Sequence, residues 1–229
     1  RDVERSRGLG DVYKRQQGYI QILDEKSQRL RQLTADLVEA SKISSGNVKL
    51  DMQVIDLVEL VYQTSGEFNE KFEQKELTIV TKLPKTAVLI RADGRQLYRV
   101  IENLYNNVAK YALEKTRVYV DISYVEEKVV FSIKNVSEHS LARENSNAGD
   151  LTERFIRGDS SRTTEGSGLG LSIAKSLTVL MGGVFDIKVD GDLFKASITF
   201  PQYADGNGSD AGTEDPVSED DYVIEESET

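Results

Sequence analysis

The chain has 229 residues, of which 38% are hydrophobic and 30% are charged, and it contains no cysteine. This composition is typical of a soluble globular domain, and the lack of cysteine excludes disulfides, thiolate nucleophiles and cysteine-based metal sites. The net charge of −10 belongs to residues 202–229, which carry ten acidic side chains and no basic ones. Because the rest of the chain has no excess of basic residues, we expect no nucleic-acid partner.

The N-terminal part divides into a segment without a fold prediction and a predicted helix. Residues 1–16 show neither helical nor strand periodicity, and their run DVYKRQ resembles translated sequencing adapter, so we expect this segment to be non-native. Residues 18–45 are predicted to form a helix that Gly46 ends, either paired in a bundle or folded onto the next domain. Its apolar and small residues recur at steps of three and four, at Ile20, Leu23, Ser27, Leu30, Thr34, Leu37 and Ser41.

Helices and strands then alternate. Asp56 and Glu59 form a capping box that predicts a helix to about Gln74, and Asp93 caps a second helix over 94–113. Strands are predicted at 77–83 and 87–91, separated by a turn at Pro84, and alternating apolar residues at 118–122 and 129–133 predict a hairpin.

The C-terminal half contains a long polar segment. Residues 136–165 lack periodicity, and a loop of that length inside a compact domain is usually functional. A helix over 169–181 follows, then two strands joined by a turn at 190–192. The order of elements predicts an α/β sandwich with helices on one face of a mixed sheet, and residues 202–229 are expected to be a disordered acidic tail.

One helix carries polar residues in a pattern that suits phosphate chemistry. Asn103, Asn107 and Lys110 are spaced four and three apart, so they share one face of the helix predicted over 94–113. An asparagine carbonyl oxygen is a suitable Mg²⁺ ligand, and lysine supplies a mobile positive charge for phosphate. Taken alone, the same pattern would also suit an ordinary solvent-exposed face.

A glycine-rich turn supplies a second candidate. Gly166, Gly168 and Gly170 precede or enter a helix, where the backbone can approach phosphate closely and unpaired N–H groups face the ligand. The run lacks the Gly-Lys-Ser/Thr ending of a P-loop and does not follow a strand, which disfavours the P-loop and dinucleotide-binding folds.

Three motifs together resemble those of sensor histidine kinases. The runs are NLYNNVAKY, ERFIRGD and GSGLGLSIAK, which resemble the N box, the F box and the G2 box in that order. The resemblance implies that residues 47–201 form the ATP-binding catalytic domain, whose fold is shared with DNA gyrase and heat-shock chaperone ATPases. Residues 17–46 resemble the second helix of the dimerisation and phosphotransfer hairpin.

The resemblance also implies a role for each residue of the site. Asn107 would bind Mg²⁺, Lys110 the phosphates, and Tyr111 the base or ribose of ATP. Asn103 stands where related ATPases place a general-base glutamate, and an amide cannot take a proton from water. The lid and F-box residues would be Phe155, Arg157, Gly166, Gly168, Leu169 and Gly170.

Two positions depart from the family pattern. The stretch KNVSEHS puts Asn135 where the G1 box has an aspartate that binds the adenine amino group, although an asparagine carbonyl can still accept that hydrogen bond. The single histidine, His139, lies in the polar loop, so the resemblance implies a phosphoacceptor on a preceding helix that this chain lacks.

The implied function is transfer of the γ-phosphoryl group of ATP to a histidine, and then to the receiver domain of a response regulator. The parent protein would be a homodimer that contacts the membrane through its N-terminal region, with this part in the cytoplasm. Two alternatives stay open: an interaction module with a degenerate nucleotide pocket, and a related protein-serine kinase.

Overall fold

The computed structural model describes residues 2–44, 48–138 and 169–203. Four helices and seven strands lie within these ranges. In chain order they are α1 (Asp2–Ser44), β1 (Gln53–Asp56), α2 (Leu57–Glu73), β2 (Thr78–Lys82), β3 (Leu89–Ala92), α3 (Gly94–Tyr111), β4 (Arg117–Val125), β5 (Lys128–Val136), α4 (Gly170–Leu180), β6 (Val184–Asp190) and β7 (Leu193–Pro201).

Helix α1 is longer than the sequence predicted. It begins at Asp2, so residues 2–16, for which the sequence allowed no fold prediction, continue the helix. Helix formation does not need an apolar stripe, because backbone hydrogen bonds extend one turn from the next. Gly46 lies outside the described residues. No described helix is both long and apolar enough to span a bilayer.

The C-terminal part of α1 packs on the domain that follows it. Asp36 is buried, and one of its carboxylate oxygens lies 3.3 Å from a guanidinium nitrogen of Arg99 on α3. Ala40 and Ile43 are partly buried against the main hydrophobic core. The docked end of α1 therefore combines apolar contact with a partly buried ion pair.

Local capping explains where α2 and α3 begin. Asp56 accepts a hydrogen bond from the backbone N–H of Val58 at 3.0 Å and a second from Val88 at 3.1 Å. Asp93 accepts one from the N–H of Gln96 at 3.0 Å. Both predicted starts are confirmed, and each cap satisfies a helix N–H that has no intrahelical partner.

The strands form two sheets. The larger has the order β2-β4-β5-β7-β6, with β2 parallel to β4 and the other neighbouring pairs antiparallel. The smaller sheet pairs β1 with β3. Strand β1 was not predicted, because it has only four residues, of which two are exposed. The predicted hairpin is β4–β5, and the predicted final pair is β6–β7. The mixed sheet with its helices confirms the predicted α/β sandwich.

The core lies between the large sheet and the helices. Alternate residues of β4, β5 and β7 point into it, whereas the intervening residues lie on the outer face of the sheet. Helix α3 contributes a continuous buried stripe to the same core. Its buried residues are Leu97, Val100, Ile101, Leu104, Tyr105 and Val108.

Candidate functional site

The polar residues that were predicted to share one face of a helix lie on the half-buried side of α3. Asn103, Asn107 and Lys110 are all partly buried, beside the apolar stripe of the same helix. The carboxamide of Asn107 forms no side-chain hydrogen bond within the described residues, which leaves its oxygen available as a ligand. The exposed neighbour Asn106 accepts a hydrogen bond from Lys71 at 3.2 Å.

Helix α4 begins directly against Asn103. A Cβ atom placed on Gly170 would lie 3.0 Å from the Oδ1 atom of Asn103, closer than nearly all ordinary contacts of this kind. Glycine at this position therefore lets the N-terminus of α4 approach α3. The approach brings the run that resembles the N box into contact with the run that resembles the G2 box, although the two are far apart in the sequence.

Asn135 is buried on the helix-facing side of β5, with 2% of its surface exposed. It lies opposite Val118 on β4 and Phe194 on β7, which are both apolar. Its Nδ2 atom donates to the carbonyl of Val136 at 3.0 Å. Its Oδ1 atom is buried and has no hydrogen-bond partner within the described residues.

The end of β5 is tied to the end of α3. The N–H of Leu113 donates to the carbonyl of Val136, and the N–H of Glu138 donates to the carbonyl of Tyr111, both at 2.9 Å. These bonds hold Asn135 at the end of the domain where Lys110 and Tyr111 lie. The predicted adenine-binding and phosphate-binding residues are thus on adjoining elements.

Two buried side-chain atoms lack partners in the described part of the chain, and both belong to predicted site residues. They are Nδ2 of Asn103, a donor, and Oδ1 of Asn135, an acceptor. A buried polar atom without a partner costs about 1–3 kcal/mol, so each is expected to have a reason to be there. An acceptor fits the exocyclic amine of adenine, and the residues present therefore fit a nucleotide.

Lys110 and Tyr111 lie side by side at the end of α3. The ammonium of Lys110 is 4.8 Å from the centroid of the Tyr111 ring, which is a cation–π distance. Sequence reasoning missed a supporting residue: the ammonium of Lys75 donates to the carbonyls of Lys110 at 3.0 Å and Ala112 at 3.4 Å. A lysine just after α2 gives no local signal that it caps another helix.

Some predicted residues lie outside the described ranges. They are Phe155, Arg157, Gly166, Gly168 and the single histidine, His139. Leu169 is described and immediately precedes α4, where its carbonyl accepts a hydrogen bond from the Ser172 hydroxyl at 2.7 Å. Among the described residues no group of three or more His, Cys, Asp and Glu side chains could hold a metal ion.

Comparison with known proteins shows the family of the domain. The family model described as histidine kinase-, DNA gyrase B-, and HSP90-like ATPase matches residues 92–213, a range that includes every predicted site residue. Similar curated proteins include the circadian input-output histidine kinase CikA of Synechococcus elongatus, which is 27% identical over 184 residues, covering 79% of this chain and 24% of CikA. Sensor histidine kinase WalK of Bacillus subtilis is 24% identical over 186 residues, covering 80% of this chain and 30% of WalK.

The fold is also found among solved structures. Full-length ShkA in complex with AMPPNP superposes with a TM-score of 0.67 at 22% identity, covering 81% of this chain and 38% of ShkA. The chain spans about a quarter to a third of CikA and WalK.

Proposed function

Because the chain belongs to the family of histidine kinase-, DNA gyrase B- and HSP90-like ATPases, we propose that it binds MgATP and supplies the γ-phosphoryl group to a histidine of its parent protein. Its ATP-binding domain is of the sensor histidine kinase type. The observation that carries the proposal is the pair of orphaned buried atoms, one on Asn103 and one on Asn135. Both atoms belong to the motifs that would enclose a nucleotide.

Each residue of the site has a distinct role in this proposal. Asn135 accepts a hydrogen bond from the adenine amino group, and Tyr111 lies against the base or ribose. Lys110 binds the phosphates, and Asn107 provides a side-chain oxygen for Mg²⁺. The metal ion, when bound, neutralises charge on the phosphates. Catalysis by these residues then rests on positioning and on charge compensation.

Asn103 explains why the bound nucleotide would be protected from water. Its carboxamide has no basic group, so it cannot remove a proton from an attacking water molecule. Its Nδ2 atom is buried beside α4 and is free to donate a hydrogen bond to a ligand or a water. The phosphoryl group would therefore await a histidine nucleophile in place of being hydrolysed.

The acceptor histidine, the dimer and the downstream partner belong to the proposal for the parent protein. We place the acceptor on a helix that pairs with α1 and the receiver domain of a response regulator downstream of it. Ile20, Leu23 and Leu30 of α1 are exposed, which supports a partner helix on that face. A membrane anchor, if the parent protein has one, would lie in its N-terminal region.

Calorimetric titration of the whole chain with AMPPNP, with and without Mg²⁺, tests the nucleotide site. We expect Mg²⁺-dependent binding that Asn107→Ala weakens at least tenfold, or about 1.4 kcal/mol, because the substitution removes the metal-binding oxygen. Asn106→Ala is the matched control, since its side chain is exposed on the same helix.

Two results would contradict the proposal. One is equal affinity in the Asn107→Ala and unmodified proteins. The other is no binding at about millimolar nucleotide by protein that circular dichroism shows to be folded. The second result would favour an interaction module with a degenerate pocket.

A further inference from the structure

The outer face of the large sheet, opposite the helices, carries three lysines in one cross-strand row. Lys134 on β5 lies directly opposite Lys195 on β7, and Lys195 lies opposite Lys188 on β6. Neighbouring strands are about 4.8 Å apart, so the three side chains leave the sheet within about 10 Å of one another. We call these three residues the lysine row.

Like charges directly opposite each other destabilise a sheet, so the lysine row needs an explanation. None of its members forms an ion pair within the described residues. Tyr119 on β4 extends the row, and its ring centroid lies 5.3 Å from the ammonium of Lys134. This contact fixes one end of the row without neutralising it.

The rest of the same face is balanced. Lys82 on β2 lies opposite Asp121 on β4, which pairs opposite charges across two strands. Asp186 and Asp190 flank Lys188 along β6, two residues away on either side. Protection of an exposed sheet edge can account for a lysine on the edge strand β6, but not for lysines on the interior strands β5 and β7.

The chain contains a segment with the opposite charge. Residues 204–229 carry ten acidic side chains and no basic ones, whereas residues 1–201 have no net charge. Half of these acidic residues fall within eight positions, 214–221, which we call the acidic segment. They are Glu214, Asp215, Glu219, Asp220 and Asp221.

We propose that the acidic segment docks on the lysine row of its own chain. The length of the connecting chain supports this pairing. The chain is hydrogen-bonded as far as Tyr203, whose N–H donates to the carbonyl of Leu89, so a return from Tyr203 to Lys195 covers eight residues, or up to about 26 Å. Residues 204–213 are rich in glycine, and ten such residues have a root-mean-square span of about 16–19 Å.

This span is shorter than the separation, but ten residues can extend to about 33 Å, so the linker can reach the lysine row and tether the acidic segment near it. The acidic segment is therefore held where the lysine row can bind it, at a local concentration on the order of millimolar. The contacts would be exposed ion pairs, so added salt weakens them. At physiological ionic strength the screening length is about 8 Å. Docking covers the outer face of the sheet at low salt and releases it at high salt.

Proteolysis of the acidic segment in the full chain tests the proposal. A Glu-specific protease cuts after Glu214 and Glu219 only when they are released, and mass spectrometry reports the rate of each cut. We expect the combined variant Lys134→Gln, Lys188→Gln and Lys195→Gln to be cut roughly three to ten times faster than the unmodified chain at about 20 mM NaCl.

The control removes the same charge away from the sheet, in a combined Lys26→Gln, Lys49→Gln and Lys85→Gln variant whose three lysines are all exposed. We expect this control to be cut at the unmodified rate. At about 500 mM NaCl the unmodified chain should be cut as fast as the lysine-row variant, which tests docking without any substitution.

Equal cutting rates for the unmodified chain and the lysine-row variant at low salt would overturn the proposal. Protection that increases with protein concentration would also overturn it, because docking within one chain is independent of concentration. Neither outcome depends on nucleotide binding, so this test is separate from that of the proposed function.

Discussion

Replacing Asn135 with leucine should separate the stability of the protein from its affinity for nucleotide. The side chain is buried on the core side of β5 between Val118 and Phe194. Its amide nitrogen donates one hydrogen bond, to the carbonyl of Val136, and its oxygen has no partner in the described residues. Leucine has a similar volume and would suit these apolar neighbours.

The two effects on stability have opposite signs. Removing a buried acceptor without a partner recovers about 1–3 kcal/mol of desolvation cost, and losing the bond to Val136 costs about 0.5–1.5 kcal/mol. The free energy of unfolding without nucleotide should therefore change by between about −0.5 and about +2.5 kcal/mol. The affinity for nucleotide should fall about tenfold, because the proposed hydrogen bond from the adenine amino group to Asn135, worth about 1.5 kcal/mol, is lost.

Urea unfolding of the nucleotide-free protein measures the first effect, and calorimetric titration with Mg²⁺ and AMPPNP measures the second. Asn106→Leu is the control. This asparagine is exposed on α3, so its substitution should leave the affinity for nucleotide unchanged. The reasoning would be refuted if Asn135→Leu lowered the free energy of unfolding by more than about 2 kcal/mol while affinity stayed the same. Asn135 would then be a structural residue, and its orphaned oxygen would not mark a ligand site.

Three further predictions concern stability. Gly183→Ala should destabilise the protein by about 2 kcal/mol in urea unfolding, because the new Cβ would lie 2.6 Å from the buried ring of Phe200. Gly66→Ala should instead stabilise it by about 0.5–1 kcal/mol, because Gly66 lies inside α2 and its new Cβ would have no neighbour within 4 Å. Destabilisation by both substitutions would contradict this reasoning. Burial raises the pKa of Tyr105 to about 12, with an opposing contribution from its 2.7 Å hydrogen bond with Ser65. The folded protein then keeps a proton that the unfolded chain releases, so the free energy of unfolding should fall by up to about 1.4 kcal/mol per pH unit between about pH 10 and about pH 12. Tyr105→Phe should reduce that decline when urea unfolding is repeated across this range, and an identical decline in both proteins would show that Tyr105 is not its source.

Features that depend on nearby residues could be predicted from the sequence. Asp56 and Asp93 mark the starts of α2 and α3 because a capping side chain acts on N–H groups two or three residues away. The β4–β5 hairpin follows from alternation around a short turn, in which Glu126 adopts a φ of 56°. The polar face of α3 follows from helical spacing alone.

Features that depend on distant residues could not be predicted in this way. Strand β1 has only four residues, two of them exposed, and forms because β3, more than thirty residues later, pairs with it. The parallel pairing of β2 with β4 likewise has no local signal. Residues 2–16 lack periodicity and so allowed no fold prediction, yet they continue α1.

The sequence by itself determined which residue types form the site, since the amides, lysine and glycines stand in motifs whose spacing is local. Only the tertiary structure decided that Gly170 meets Asn103, that the oxygen of Asn135 is buried without a partner, and that three lysines align across β5, β7 and β6. The physical reason is that burial and cross-strand register depend on chain segments many residues apart. Their packing is set by the whole core and not by any one segment of the sequence.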